Sequence, residues 1–226
     1  MIESVDVGDV SIGYRVAGEA GGQPVVLLHG LGDSGLDWSP VLDGLAAAFR
    51  VFVLDLRGHG DSGRPGDYSF ELMRDDVLGF LDAMRLERVA LVGHSMGAVV
   101  AVLVAQAAPD RVTRLVLEDA TVPRPGDLYR PPLAAPDEPT PFDFAVVNAI
   151  RAQLTHPDPA WWDGTDAVKT PTLIVDGASS DDRQAFLAAS AARMPNARLV
   201  TIAAGHYVHQ ERPAGFLDAV VPFLSL

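Results

Sequence analysis

The stretch Val89-Ala90-Leu91-Val92-Gly93-His94-Ser95-Met96-Gly97-Ala98 decides how the rest of the chain is read. Four apolar residues run into Gly-His-Ser-Met-Gly, and a small apolar run from Ala98 to Ala108 follows. The order is strand, sharp turn, helix, with a serine at the turn. In that setting G-x-S-x-G reads as a nucleophile elbow, where a strained backbone holds the serine Oγ clear of the sheet. Gly93 and Gly97 carry no Cβ, so strand and helix can close up around the serine. The same five residues also fit a glycine-rich turn whose serine only caps the helix. The flanking chain has to choose between the two.

Upstream, Pro24 to Leu28 and Val51 to Leu54 are continuous apolar runs, the pattern of strands buried on both faces of a parallel sheet. Ser4 to Val7 and Val10 to Val16 alternate around Gly8-Asp9 and predict an antiparallel hairpin. Trp38 to Phe49 and Phe70 to Met84 have helical periodicity. Downstream, strands are expected at Leu115 to Leu117, Thr172 to Val175 and Leu199 to Ile202, and helices at Asp182 to Ala192 and Ala214 to Phe223. Strands alternating with helices imply an α/β fold with a mostly parallel central sheet flanked by helices. The rhythm breaks between residues 120 and 170, which hold nine of the 17 prolines and one helical stretch, Phe142 to Leu154. Strands of one sheet stand on both sides of that segment. Residues 1–226 therefore read as a single domain with 120–170 inserted as a small cap.

Composition narrows the function classes. A formal net charge of −13 argues against nucleic acid or an anionic membrane as partner. There is no cysteine, so disulfides, thiolate catalysis and cysteine-ligated metals are excluded. No apolar run is long enough to span a bilayer, and the first residues are charged, which makes a soluble cytoplasmic protein the expectation. No H-E-x-x-H or similar spacing occurs, so neither a catalytic metal nor a cofactor is expected. No P-loop or dinucleotide fingerprint follows a strand.

Four motifs, each at the C-terminal end of an expected strand, together resemble the α/β-hydrolase superfamily along nearly the whole chain. They are His29-Gly30 after the first parallel strand, Asp55-Leu56-Arg57-Gly58-His59-Gly60-Asp61-Ser62 after the next, the elbow Gly93 to Gly97, and Gly205-His206-Tyr207-Val208-His209-Gln210-Glu211-Arg212-Pro213 before the last helix. That sheet edge is where open parallel sheets bind ligands. The resemblance implies a serine esterase-like member with a short cap. Ser95 would be nucleophile and His206 its base. The backbone N–H groups of Leu31 and Met96 would form the oxyanion hole.

The acid is open between two positions. The family places it three residues beyond a glycine after the strand matched by Thr172 to Val175, which here falls on Ser180, with Asp181 one residue out of register. The alternative is Asp119, at the end of the strand expected beside the elbow strand; Asp182 reads as the N-cap of the next helix. Glu118-Asp119 also fits a pair that merely ties down the cap hinge. Among the other histidines, His94 and His29 read as braces of their loops, His59 as a turn residue and His209 as a residue of the surface or of the pocket mouth. Tyr129, Phe142, Phe144, Trp161 and Trp162 give the insertion an aromatic character that suits either a modest apolar pocket over Ser95 or simple packing of the cap onto the sheet, and no basic cluster in it marks an acidic substrate. The expected substrate is a small apolar ester or related acyl compound, cleaved through an acyl-enzyme. A non-hydrolytic ligand-binding protein and an acyltransferase are the alternatives on the same fold.

Overall fold

The computed structural model describes residues 1–126 and 128–226. Eight strands form one sheet: β1 (Glu3–Val7), β2 (Val10–Ala17), β3 (Pro24–Leu28), β4 (Arg50–Leu54), β5 (Val89–His94), β6 (Val112–Glu118), β7 (Thr172–Asp176) and β8 (Ala197–Thr201). Their order is β1-β2-β4-β3-β5-β6-β7-β8; β1 to β2 and β2 to β4 are antiparallel, and the rest are parallel. The continuous apolar runs explain this layout, because alternate residues of one strand serve two cores. Val26, Leu28, Phe52, Leu54, Leu91 and Leu117 pack on one face, under α2 (Phe70–Ala83) and α3 (Met96–Ala107). Val25, Leu27, Val51, Val53, Val92 and Val116 pack on the other, under α1 (Ser39–Ala46) and α8 (Pro213–Leu224).

Between β6 and β7 lie α4 (Phe144–Thr155) and α5 (Pro159–Asp163); α6 (Asp181–Arg193) and α7 (Val208–Glu211) complete the set. Local chemistry sets the boundaries. Pro40 lacks an N–H and suits a first turn, so α1 starts at Ser39 behind a 3₁₀ turn, Gly35–Trp38. Asp143 caps α4 through Ala145 N at 3.0 Å, which moves the helix start to Phe144. Ser180, not Asp182, caps α6, accepting from Arg183 N at 3.2 Å. The short helices α5 and α7 were not expected. For α5 the signal was present in Asp158-Pro159, a capping side chain followed by proline at the first helical position.

The turn after β4 is held by a buried ion pair. Arg57 Nε and Nη2 donate to Asp76 of α2 at 2.5 and 2.6 Å, and both side chains are shielded from solvent. Arg57 Nη2 also meets Asp9 Oδ1 at 3.2 Å, but Asp9 is 67% exposed, so loss of Asp76 leaves the buried guanidinium with a weaker, solvent-screened carboxylate. Asp76→Ala should therefore cost about 3 kcal/mol, the low end for breaking a buried pair. Urea unfolding checks this, and a loss below about 1 kcal/mol would show that Asp9 takes over the pairing.

Candidate active site

Strand β5 ends at His94, and the chain turns into α3 through Ser95, whose φ of 50° and ψ of −111° lie outside the ordinary regions for an L-residue. The turn is tight because two glycines permit it. A Cβ on Gly93 would strike the Gly97 carbonyl, and one on Gly97 the Leu28 carbonyl. The sheet ladder continues into the turn: Ser95 N donates to Glu118 O at 3.0 Å and Gly97 N to His29 O at 3.1 Å. His94 pairs with Glu118 in register, so Ser95 and Asp119 stand level on neighbouring strands. Asp119 also takes a positive φ, 48°, and its N–H donates to Val175 O of β7 at 2.8 Å.

The loop after β8 brings the third side chain. Ala204 N and Gly205 N both donate to the Gly177 carbonyl, at 3.0 and 2.8 Å, and the His94 ring donates from Nε2 to the His206 carbonyl at 2.9 Å. His206 Nε2 then lies 3.0 Å from Ser95 Oγ, and Nδ1 lies 2.7 Å from Asp119 Oδ2. Asp119 is fully buried, and its other oxygen accepts from Gly177 N at 3.3 Å. Asp181 is not part of this array: it is an exposed first residue of α6. Asp176 is also occupied elsewhere, accepting from Ala178 N, Thr201 Oγ1 and Gln184 Nε2.

The backbone N–H groups of Leu31 and Met96 donate to no other described residue, and both residues line the cavity that contains Ser95. Two histidines fix the loop that carries Leu31. His29 donates from Nδ1 to Gly30 O at 2.7 Å and accepts from Leu56 N at 2.9 Å. His59 donates to Arg57 O at 3.0 Å and accepts from Gly32 N at 3.1 Å. Each ring uses one N–H and one lone pair, which requires the neutral form. Burial supports it, pushing His29 down to about 3 and lowering His59. The second role of His59, pinning Gly32, could not be read from its place in a turn. Burial likewise pushes His94 down to about 4, consistent with a neutral ring that donates from Nε2.

His209 is a correction to the sequence reading. It is fully buried, and its backbone N–H and Nδ1 donate to the Glu118 carboxylate at 2.9 and 2.8 Å, with Asp37 Oδ2 3.3 Å from Nε2. Glu118 is thus a tie to α7, not to the cap hinge. Burial works against the His209 cation, but Asp37 and Glu118 outweigh it and push the ring up to about 9. Folding then favours the cation. The resulting stability is complete below pH about 6.5 and is lost as the pH rises toward about 9; that shift corresponds to about 3 kcal/mol. Urea unfolding across this window should show the decline in wild type and a flatter profile in His209→Gln; parallel profiles would refute the assignment.

Asp33, Asp37 and His94 bring one ligand atom each within 4.8 Å of one another, a proximity that sequence spacing did not reveal. Burial, and then Asp37, push Asp33 up to about 6. The cation beside this group is His209, in contact with Asp37.

The cavity over Ser95 measures about 270 Å³. Its aromatic wall comes from Phe70, Phe186 and Tyr207, not from the five aromatics of the insertion. Trp161 packs edge-on against Phe70 with centroids 5.4 Å apart, Phe142 lies over His59, and Tyr129 is 74% exposed. Trp162 stacks on Phe186 and faces an adjoining outer cavity of about 490 Å³. From the insertion, the cavity over Ser95 receives Leu128, Arg130, Ile150, Arg151 and Leu154. The basic character absent from the insertion's sequence pattern is assembled here, with Arg183 of α6 as a third guanidinium.

A serine and a histidine, both partly exposed, joined to a buried aspartate at the C-terminal edge of such a sheet define a class, and comparison with known proteins agrees. Residues 23–173 match the sequence profile described as the alpha/beta hydrolase fold, and the chain belongs to that family. It is 31% identical over 245 residues to a putative carbamate hydrolase, RutD, of Caulobacter sp. strain K31, covering 90% of this chain and 91% of that one. Over 108 residues, 47% of its length, it is 40% identical to an uncharacterized protein of Mycobacterium tuberculosis strain H37Rv, and the match covers 31% of that relative. The chain thus spans about a third of the length of that relative. The enol-lactonase of Burkholderia xenovorans LB400 shares the fold, with a TM-score of 0.84 over 99% of this chain and 100% of that one at 24% identity. Among the described residues no helix is long and apolar enough to cross a membrane.

Proposed function

We propose that the protein is a serine hydrolase that cleaves a small carboxylic ester or related acyl bond through an acyl-enzyme, with residues 120–170 acting as the cap of a single catalytic domain. The observation that carries this reading is the unbroken chain from Ser95 Oγ through the His206 ring to the buried Asp119 carboxylate, at 3.0 and 2.7 Å. A serine hydroxyl is a weak nucleophile until a base takes its proton, and the base needs a fixed tautomer. Asp119 accepts from Nδ1–H, which leaves the Nε2 lone pair directed at Ser95. Ser95 Oγ attacks the acyl carbon as its proton passes to Nε2. The oxyanion forms against the N–H groups of Leu31 and Met96. The imidazolium returns the proton to the leaving alcohol. Water then repeats the sequence on the acyl-enzyme, releasing the acid and restoring Ser95.

The names of the relatives are consistent with this chemistry. A carbamate and an enol-lactone, like an ester, present an acyl carbon to a nucleophile. A purely ligand-binding role would be favoured by the lack of an acid for His206, and Asp119 is within hydrogen-bond distance of it.

The test is labelling by a fluorophosphonate, read by intact mass. One adduct per chain should form rapidly on wild type and be absent from Ser95→Ala. A folded wild-type sample that takes no label would end this reading and favour a binding protein.

A further inference from the structure

We propose that the cavity over Ser95 receives a short acyl chain ending in a carboxylate, and that Arg130 and Arg151 hold that carboxylate. The inference rests on the serine hydrolase reading and goes beyond it to the class of acid released. The cavity has two different surfaces. Beside Ser95, the side chains of Leu31, Met96, Val99, Ile150 and Leu154 are apolar and suit methylene groups. The wall also contains Arg130, Arg151 and Arg183, all half-buried, in a chain whose formal net charge is −13.

Arg183 is engaged with the site itself, since Nη1 donates to the Asp119 carbonyl at 3.1 Å and Nε lies 3.9 Å from Asp119 Oδ2. Arg130 and Arg151 are not so engaged. Among the described residues no carboxylate lies within 4.0 Å of either guanidinium. Arg151 Nε donates to Pro131 O at 2.7 Å and Arg130 Nη1 to Tyr129 O at 3.4 Å, so each fork keeps most of its five N–H donors for another acceptor. A cation half withdrawn from water is stabilised by a matching anion, and the planar fork matches a carboxylate in a bidentate manner.

The two arginines are 21 positions apart in sequence and are brought together by the return of the loop onto α4. Thr155 Oγ1 accepts from Arg130 N at 2.8 Å, and its one hydrogen is shared between the Arg151 carbonyl at 2.9 Å and the Arg130 carbonyl at 3.2 Å. One threonine thus ties both backbones together. Arg151 lines only the cavity that contains Ser95, whereas Arg130 also borders the outer cavity. In the proposed pose the anion lies on the acyl side, against Arg151, and the leaving alcohol departs through the outer cavity.

Kinetics on two esters of equal chain length test this. Adipic acid monomethyl ester carries the terminal carboxylate, and methyl hexanoate does not. Wild type should favour the anionic ester in kcat/KM by about ten-fold or more, the scale of hydrogen bonds to a charged group. The ratio of the two values, taken within each variant, should collapse toward one in Arg130→Gln/Arg151→Gln. Arg151→Lys should keep part of the preference, because the charge stays while the fork is lost. Should the variants fail to fold, inhibition of the wild type decides: adipate should compete more strongly than hexanoate for neutral-ester turnover. A wild-type ratio of one or less, a ratio unchanged in the double variant, or stronger inhibition by hexanoate would each overturn the inference. If methyl hexanoate is hydrolysed in a Ser95-dependent way, those results leave the serine hydrolase reading standing. If neither ester is turned over and no fluorophosphonate label is taken up, both fall together.

Discussion

Ser95→Ala should lower kcat for ester hydrolysis by about a million-fold, the scale seen when a serine nucleophile is removed from such a triad. In the proposed mechanism Oγ is the atom that forms the acyl-enzyme, and without it His206 Nε2 loses the hydroxyl it meets at 3.0 Å. Ser95→Gly should be equally inactive but more stable. The positive φ of 50° is strained for any residue with a Cβ and costs about 1–3 kcal/mol. Glycine relieves it, at the expense of a more flexible unfolded chain. The net effect should place the melting temperature of Ser95→Gly about 2–4 °C above that of Ser95→Ala, measured by calorimetry. The opposite order would show that the elbow is not strained at this position.

Asp119→Asn should reduce kcat by about ten-thousand-fold with little change in KM. The carboxylate accepts the Nδ1–H of His206 at 2.7 Å, whereas an asparagine amide turned toward the ring donates and favours the tautomer with its proton on Nε2. The proton then faces Ser95 Oγ, and the base is lost while the fold is kept. Asp181→Asn should remain near wild type, since Asp181 is an exposed helix-start residue. Steady-state kinetics on the two variants separate the candidate acids, and a larger loss in Asp181→Asn would reject the assignment of Asp119.

The distinction between these aspartates shows what a linear sequence carries. Asp119 was identifiable as a candidate because it directly follows an apolar strand expected beside the elbow strand, and register turns that adjacency into contact. His94 opposite Glu118 leaves Ser95 and Asp119 level. Asp181 was a candidate by counting from Gly177, but the count runs through a loop. There Ser180 starts the helix and carries Asp181 onto its solvent face. His209 was misjudged for a related reason. Nothing local separates a surface histidine from one ionised between Asp37 and Glu118, which lie 172 and 91 residues away along the chain.

The α/β class, the strand order of events along the chain and the elbow were therefore readable from residue pattern, because burial on both faces of a strand and the small residues of a sharp turn leave a local record. Which carboxylate faces His206, which aromatics line the cavity and how Arg130 and Arg151 come to share a wall left no such record. They depend on loops whose path is chosen by long-range packing and hydrogen bonds, such as Thr155 joining two arginine backbones, and these appear only when the chain is folded.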